Sequence, residues 1–351
     1  MAKIGLALGG GAARGWAHIG VIRALSAAGI EPDVVAGTSI GAVVGGCYVA
    51  NKFDELEEFA RSMTPRRMFG YFDFNLAGSG LINGQRLSDA LETQLGAQTI
   101  DALDRPFVAV ATEIGSGHEI WLRRGRLVDA IRASYAIPGI FKPVRIKERW
   151  LFDGALVNPI PVSVCRALGA QYVIAVNLNA DLLTLGTVLP DIEARASATD
   201  DDKAELDADV AAAAATVTGA GGDAERKRGA LNLVQRQFRL GGGGAGDGAP
   251  SLSAIMVDAF NIVHDRIARS RLAGDPPDIM INPKLRNIGL FDFHRADELV
   301  AIGETAAIRA LADLREDIED ATGAGGSASA GDDIADAAAA SAKALRQAPD
   351  A

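Results

Sequence analysis

Cysteine and histidine are both scarce in this sequence, which limits the chemistry that the chain can perform. There are two cysteines and four histidines among 351 residues. Cys47 and Cys165 each lie in an apolar stretch, so we expect two buried thiols in a reducing cytoplasm, not a disulfide framework. His118, His264 and His294 lack the spacing of metal ligands. The sequence therefore predicts neither a metal ion nor another cofactor.

The sequence also lacks an excess of positive charge. Its 35 Lys and Arg residues face 45 Asp and Glu residues, which gives a formal net charge of −10. Nucleic-acid binding requires a basic face for the phosphates, so that class of protein is excluded. The acidic excess lies in the second half, because residues 1–180 carry 18 basic and 16 acidic side chains and the remainder 17 and 29.

No hydrophobic run has the character of a plain membrane span. The uncharged run at residues 34–51 comes closest, but it contains four glycines together with Thr38 and Ser39, and a buried strand followed by a packed helix explains it better. The apolar run at the start is too short for a secretory signal. With a mean hydropathy of +0.13, the sequence predicts a folded cytoplasmic protein.

Short apolar strands alternate with helices over residues 3–180. The first 50 residues fit strand, helix, strand, helix, which is a βαβ unit with a parallel sheet. We therefore predict a three-layer α/β/α sandwich with a mostly parallel central sheet. Strands are predicted at 4–9, 33–37, 107–111, 120–123, 150–152, 172–177 and 279–281, and helices at 16–28, 40–50, 54–62, 84–95, 127–134, 161–168, 252–270 and 296–320.

The composition changes abruptly at residue 194, where Ala, Asp and Gly become dominant. We predict a disordered low-complexity insertion over 194–250 and a disordered acidic Ala/Gly tail over 321–351. The folded domain then comprises residues 1–193 and 251–320. Within the insertion, residues 226–240 place basic and apolar side chains at helical spacing, which favours a surface helix, with a helix on an anionic membrane as the alternative.

A candidate nucleophile lies between the second strand and the second helix. Residues 37–41 read Gly-Thr-Ser-Ile-Gly, a G-x-S-x-G pattern in the strand-to-helix context of a nucleophile elbow. Gly37 and Gly41 allow the strand and the helix to approach closely, while the turn exposes the Ser39 hydroxyl. A structural serine in a glycine-rich turn is the alternative interpretation.

A glycine-rich loop, Gly-Gly-Gly-Ala-Ala-Arg-Gly at residues 9–15, follows the first strand. A dinucleotide site would need glycine where Arg14 stands, and an acidic residue where Gly37 ends the second strand. A Walker-type phosphate loop would need lysine where Trp16 stands. Because the ends of the first two parallel strands are neighbours, the loop instead predicts an oxyanion hole beside Ser39.

Asp153 is the candidate base for this serine. An α/β-hydrolase would supply a late histidine such as His264 or His294, but that fold places several strands before its elbow, whereas Ser39 follows the second strand. Asp153, in Asp-Gly-Ala, ends an apolar strand. We expect this strand to be parallel, which places the Asp153 carboxylate at the sheet edge that carries the elbow, where it can accept the serine proton directly. A plain Asp-Gly turn is the alternative.

In this order, the three motifs resemble those of the patatin-like phospholipases. The segments at residues 5–20, 131–139 and 292–297 are similar to the bacterial RssA-type branch, which is related to the neuropathy target esterase catalytic domain. The resemblance covers about residues 3–193 and 251–315. It implies a Ser39–Asp153 dyad, with an oxyanion hole formed by the residues of the glycine-rich loop, namely Gly10, Gly11, Ala12 and Arg14.

The expected activity is the hydrolysis of fatty-acyl esters of phospholipids or lysophospholipids without a metal. We expect a cytoplasmic enzyme that binds the inner membrane face peripherally, and no protein partner can be named. Two alternatives are a catalytically weak or inactive patatin-fold regulator and a Ser-His-Asp esterase. Ser134 and Pro138, in the 131–139 segment, are expected to have a structural role.

Overall fold

The computed structural model describes residues 3–71, 80–82, 84–181 and 252–322. The chain divides into two compact units, one of Met1–Leu183 with Val263–Ala351 and one of Thr184–Ile262. The predicted insertion at 194–250, and the predicted tail from residue 323 onward, lie outside the described residues and remain predictions.

The predicted helices and strands are present, with ends that shift by a few residues. The strands are β1 (Ile4–Leu8), β2 (Val34–Thr38), β3 (Gly80–Ile82), β4 (Phe107–Glu113), β5 (Glu119–Leu122), β6 (Gly139–Phe141), β7 (Val144–Ile146), β8 (Arg149–Asp153), β9 (Tyr172–Val176) and β10 (Ile279–Ile281). The helices are α1 (Ala17–Ala27), α2 (Ile40–Val49), α3 (Phe53–Arg61), α4 (Pro65–Tyr71), α5 (Gln85–Leu95), α6 (Leu127–Ser134), α7 (Val162–Ala167), α8 (Leu252–Gly274) and α9 (Ala296–Thr322). Four further elements, α4, β3, β6 and β7, were not predicted from the sequence.

Within the described residues, eight strands form one mixed sheet. Their order is β10-β9-β1-β2-β4-β8-β7, and β5 also pairs with β4. The run from β10 to β4 is parallel, whereas β5 and β8 are antiparallel to β4. The predicted mostly parallel sheet is confirmed, including the adjacency of β1 and β2.

Helices pack on both faces of the sheet, because successive side chains of a strand point to opposite sides. Leu6 and Leu8 belong to a core that also includes residues of α1, α2, α6 and α9. Ala7 belongs to a second core with α7. Cys47 and Cys165, one in each core, are buried free thiols, as predicted.

Strand β4 brings the ends of β2 and β8 together. Thr38 of β2 pairs with Val110, and Asp153 of β8 pairs with the next residue, Ala111. Strand β5 pairs with residues 109–112 of β4, which overlap both the stretch paired with β2 and the stretch paired with β8. Because each edge of a strand holds one partner at a given residue, β5 occupies one edge of β4, and β2 and β8 lie end to end along the other. The prediction that Asp153 ends a parallel strand is wrong, since β8 runs antiparallel and meets β2 head-on.

No helix within the described residues combines the length and the apolar character that crossing a membrane would require.

Candidate active site

Ser39 lies in a strained turn between β2 and α2. Its backbone has φ 58° and ψ −123°, in a region that side-chain-bearing residues seldom occupy. Such strain persists only where the surroundings enforce it, and it is concentrated at functional sites. Here the Ser39 N–H donates a hydrogen bond to Ser134 Oγ at 2.9 Å, and α2 begins at the next residue.

The two glycines of the elbow permit a backbone approach that no side chain would allow. A Cβ at Gly37 would lie 2.4 Å from the carbonyl oxygen of Gly41. A Cβ at Gly41 would lie 2.1 Å from the carbonyl oxygen of Leu8. The G-x-S-x-G pattern is therefore required by the packing of α2 against β1 and β2, as expected for an elbow.

The Ser39 hydroxyl donates a hydrogen bond to Asp153 Oδ2 at 2.6 Å. Asp153 Oδ1 accepts a second bond from the Ala155 N–H at 2.8 Å. The Asp153 N–H donates to the carbonyl oxygen of Ala136 at 3.0 Å, and the residue is fully buried. The carboxylate is thus held in one orientation, with one oxygen directed to the serine.

Burial is the main influence on the acidity of Asp153. Loss of solvation raises the pKa of Asp153 to about 7, although the hydrogen bonds from Ser39 and Ala155 act in the opposite direction. A carboxylate with a raised pKa is a stronger base than an exposed aspartate. At neutral pH and above, Asp153 can therefore accept a proton from its neighbour.

The segment at 131–139 supports both Ser39 and Asp153. Ser134 Oγ accepts the Ser39 N–H and donates to the carbonyl oxygen of Val110 at 2.6 Å. Two residues further on, Ala136 binds the Asp153 backbone. Ser134 therefore fixes the elbow through its side chain, a contact that was not specified from the sequence.

Several N–H groups of the glycine-rich loop donate hydrogen bonds within the protein. The Gly9 N–H donates to Val176 O and the Gly10 N–H to Pro159 O, both at 3.1 Å. The Ala13 N–H donates to Leu290 O, and the Arg14 N–H to Gly11 O. Among the described residues, the Gly11 and Ala12 N–H groups have no partner, and Ala12 takes a left-handed φ of 48°. These two amides are available to a ligand, whereas that of Gly10 is already occupied.

The Arg14 side chain lies behind the loop. Its guanidinium donates from Nε to Ile288 O at 3.0 Å and from Nη1 to Asn179 Oδ1 at 3.1 Å. Burial lowers the pKa of Arg14 to about 10, so the group remains charged at neutral pH. Arg14 was predicted as an oxyanion residue, and its guanidinium is engaged with the scaffold of the loop.

No histidine within the described residues forms a hydrogen bond with the Ser39 hydroxyl or the Asp153 carboxylate. His118 and His294 are exposed. His18 Nε2 binds the carbonyl oxygen of Gly9 at 2.8 Å, and His264 Nδ1 lies 2.9 Å from Asn179 Nδ2. Among the described residues there is also no group of three or more His, Cys, Asp or Glu side chains arranged to hold a metal ion.

Sequence reasoning missed Asn179. This residue follows β9, which is the neighbour of β1, so it lies beside the glycine-rich loop that follows β1. A polar residue just after a strand adjacent to β1 was the available signal, but it required the strand order to be known.

An apolar pocket opens beside Ser39. The space it encloses is about 1050 Å³, a figure that includes the open mouth. Lys52, Glu55 and Gln94 line it at partly or fully exposed positions. The other lining residues are Ala12, Trp16, Ile40, Val43, Cys47, Leu56, Phe59, Met63, Met68, Tyr71, Leu87, Ala90, Leu91, Tyr135, Ile137, Phe141 and Phe293.

The Asp-Phe-His motif at residues 292–294 forms part of the pocket wall. The Phe293 ring packs edge-on against Trp16, with centroids 5.8 Å apart, and the Phe293 carbonyl oxygen accepts the Trp16 indole N–H. Asp292 Oδ2 accepts the Gly289 N–H at 2.9 Å and stabilises the preceding turn. A motif distant in sequence is thereby joined to Trp16, the residue that directly follows the glycine-rich loop.

Comparison with known proteins defines the family. The patatin-like phospholipase family model matches residues 6–166. Proteins from Mycobacterium bovis and Mycobacterium tuberculosis, each named an uncharacterized NTE family protein, are 35% identical over 328 residues, which is 88% of this chain and 91% of theirs. Mouse patatin-like phospholipase domain-containing protein 6 is 32% identical over 197 residues, 53% of this chain and 14% of its own.

Among solved structures, VipD from Legionella pneumophila has a TM-score of 0.39 and 12% identity, over 89% of this chain and 67% of its own. That likeness is too low to bear on function.

The sheet, the elbow and the sequence relatives together define the class: the chain is a patatin-like phospholipase-family protein. Within that class it belongs to the NTE family. Membership supports lipid acyl hydrolase activity in general.

Proposed function

We propose that this protein hydrolyses fatty-acyl esters of phospholipids or lysophospholipids through a Ser39–Asp153 dyad. The observation that carries the proposal is the 2.6 Å hydrogen bond from Ser39 Oγ to Asp153 Oδ2 beside an apolar pocket. The buried carboxylate is the proton acceptor that a serine nucleophile requires, and it needs no histidine to relay the proton.

In the acylation step, Ser39 Oγ attacks the ester carbonyl carbon and its proton passes to Asp153 Oδ2. The carbonyl π electrons move to the oxygen, and the Gly11 and Ala12 N–H groups stabilise the resulting oxyanion. Collapse of this intermediate breaks the bond to the alcohol. Asp153 returns its proton to the leaving oxygen, so that an acyl-serine and a free alcohol remain.

Deacylation repeats these steps with water as the nucleophile. Asp153 takes a proton from the water, whose oxygen attacks the acyl carbonyl carbon. The second oxyanion collapses, Ser39 Oγ regains its proton from Asp153, and the fatty acid leaves.

The pocket supports a long acyl chain as the substrate moiety. Its lining is almost entirely apolar, and removal of an acyl chain from water into such a lining is favourable by roughly 0.8 kcal/mol per methylene. Phe141 lines the pocket, and exposed Arg145 and Lys147 follow it closely in sequence. We propose that the protein takes its substrate from the inner face of a membrane, with this basic segment toward anionic headgroups.

The proposal is tested by measuring fatty-acid release from a panel of phospholipids and lysophospholipids. Wild type should release fatty acid from at least one of them, and Ser39→Ala should not. Ser88→Ala is the matched control, because it also removes one buried serine hydroxyl, on α5, that forms no hydrogen bond with the Asp153 carboxylate.

A catalytically inactive regulator would give a different result. In that case neither wild type nor Ser88→Ala would hydrolyse any lipid in the panel, and a fluorophosphonate probe would not label Ser39 in the intact protein. This outcome would contradict the proposed function.

A further inference from the structure

The buried side-chain amide of Asn179 binds a backbone carbonyl oxygen of the glycine-rich loop. Asn179 Nδ2 donates a hydrogen bond to the carbonyl oxygen of Gly10 at 3.2 Å. That oxygen belongs to the same peptide unit as the Gly11 N–H, and in a trans peptide the C=O and N–H bonds point in opposite directions. A bond that fixes the Gly10 carbonyl toward Asn179 therefore directs the Gly11 N–H away from Asn179.

The Asn179 amide itself has one satisfactory orientation. Its Oδ1 accepts from the Arg14 guanidinium, which can only donate. Its Nδ2 faces the Gly10 carbonyl, which can only accept, and lies 2.9 Å from His264 Nδ1. Exchanging the two amide atoms would set donor against donor at Arg14 and acceptor against acceptor at Gly10.

The network is buried and adjoins the nucleophile. Arg14 and Asn179 are each 5% exposed and His264 is 3% exposed. A Cβ placed at Gly10 would lie 3.2 Å from His264 Nε2 and 3.4 Å from Ser39 Cβ. Burial, followed by the charge of Arg14, lowers the pKa of His264 to about 4, so the ring is neutral at physiological pH and its Nδ1 can accept from Asn179.

We propose that Asn179 is a positioning residue for acyl transfer, which orients the Gly11 N–H toward the developing oxyanion and is itself fixed by Arg14 and His264. The inference rests on the proposed function, because it assigns a donor to the oxyanion of that reaction. It assigns no contact between Asn179 and the substrate.

The test compares Asn179→Asp with Asn177→Asp in the full chain. The first substitution retains the shape of the side chain and the acceptor for Arg14, but it places a carboxylate oxygen against the Gly10 carbonyl, which must turn away. Asn177 lies two residues earlier, and its Oδ1 accepts the Asn179 N–H at 3.0 Å, a contact that an aspartate preserves. Both variants make the same chemical change, so their difference reports the loss of the two contacts of Asn179 Nδ2, to the Gly10 carbonyl oxygen and to His264 Nδ1.

Turnover of a soluble ester is measured per active site titrated with a fluorophosphonate. We expect Asn179→Asp to lower kcat by roughly 100-fold with little change in KM, since loss of one oxyanion donor costs about 10²–10³ in kcat. Affinity for a trifluoromethyl ketone, which forms an oxyanion with the serine, should fall in parallel. Asn177→Asp should stay within a few-fold of wild type on both measures.

Equal kcat and equal ketone affinity in the two folded variants would overturn the proposal. If Asn179→Asp fails to fold, Asn179→Ala decides: wild-type turnover per titrated site would refute the positioning role, and a loss in kcat with unchanged KM would support it.

Substitution of His264 gives a second measure. Gln can supply an acceptor for Asn179 and Leu cannot, so His264→Gln should keep more turnover than His264→Leu at matched folded fraction. Equal turnover in the two variants would show that the acceptor supplied by His264 does not help to fix Asn179.

A failure of the proposed function has a different signature. Wild type would then neither hydrolyse the ester nor be labelled at Ser39. The positioning role would in that case be refuted together with the reaction it serves.

Discussion

At the scale of single residues, Asp153 combines a chemical advantage with a cost in stability. Its carboxylate is fully buried and has no cationic partner among its hydrogen bonds, which come from the Ser39 hydroxyl and the Ala155 N–H. Burial without a counter-ion disfavours the charged form. The ionised carboxylate, which the proposed reaction requires as its base, is thus the form that burial destabilises.

The first prediction concerns the pH dependence of activity. Protonation abolishes the basicity of Asp153, whose pKa is raised by burial to about 7. We therefore expect kcat/KM on a soluble ester to be constant at high pH and to fall roughly tenfold per unit below about pH 7. A rate profile that stays flat down to pH 5 would show that Asp153 is not the base.

The second prediction concerns stability. Asp153 has a higher pKa in the folded chain than in the unfolded chain, so between the two values the folded state binds more protons and the free energy of unfolding decreases as pH rises. Asp153→Asn removes this ionisation. We expect its melting temperature to exceed that of wild type by several degrees at pH 8, and by much less at pH 5. The same variant should lose turnover almost as completely as Ser39→Ala.

At the scale of secondary-structure elements, α2 forms one wall of the pocket. Ile40, Val43 and Cys47 line the cavity, and their spacing places them on one face of the helix. Ser39 precedes that helix and Cys47 lies about 12 Å further along its axis. For the substrate proposed above, whose acyl chain would run along α2 from Ser39 toward Cys47, this distance gives a scale for the length of the chain.

The third prediction follows from this scale. Cys47→Phe should obstruct the pocket two turns from Ser39, so that activity on long-chain esters falls at least tenfold while activity on a butyrate ester is retained. Cys47→Ala is the control, since it removes the thiol without filling space. If Cys47→Phe lowers both activities in the same proportion, the acyl chain does not lie along α2.

The sequence predicted the positions of the strands better than it predicted how the strands pair. Hydrophobic patterning located β2, β4 and β8, because a buried strand has a local signature. The antiparallel direction of β8 depends on its pairing with β4 and on the hairpin with β7, which was not predicted. The proximity of Ser39 and Asp153 was expected for the wrong reason, since a head-on meeting of two strands replaces a shared carboxyl edge.

At the scale of the whole molecule, the contacts in the site that could not be predicted from the sequence are those between residues far apart in the chain. The elbow and the glycine-rich loop are continuous in sequence and carry their own backbone requirements. Asn179 contacts the loop from 169 residues away in the chain, and His264 reaches Asn179 from a further 85 residues away. No local pattern marks such contacts.

The fourth prediction concerns residues 196–250, which lie outside the described residues. Their composition is that of a disordered segment, so a chain lacking them should fold and should hydrolyse a soluble short-chain ester at a rate close to that of wild type. Circular dichroism and the rate per titrated site test this. Loss of the folded state on deletion would show that the segment belongs to the core.

The most direct measurement is fatty-acid release from lysophospholipid by variants that separate a dyad from a triad. In a triad, loss of the histidine lowers the rate by orders of magnitude, comparable to loss of the serine. At pH 8 we predict that Ser39→Ala and Asp153→Asn both fall to background, while His118→Asn and His294→Asn retain most of the wild-type rate. An active Asp153→Asn, together with a folded histidine variant as inactive as Ser39→Ala, would contradict the account.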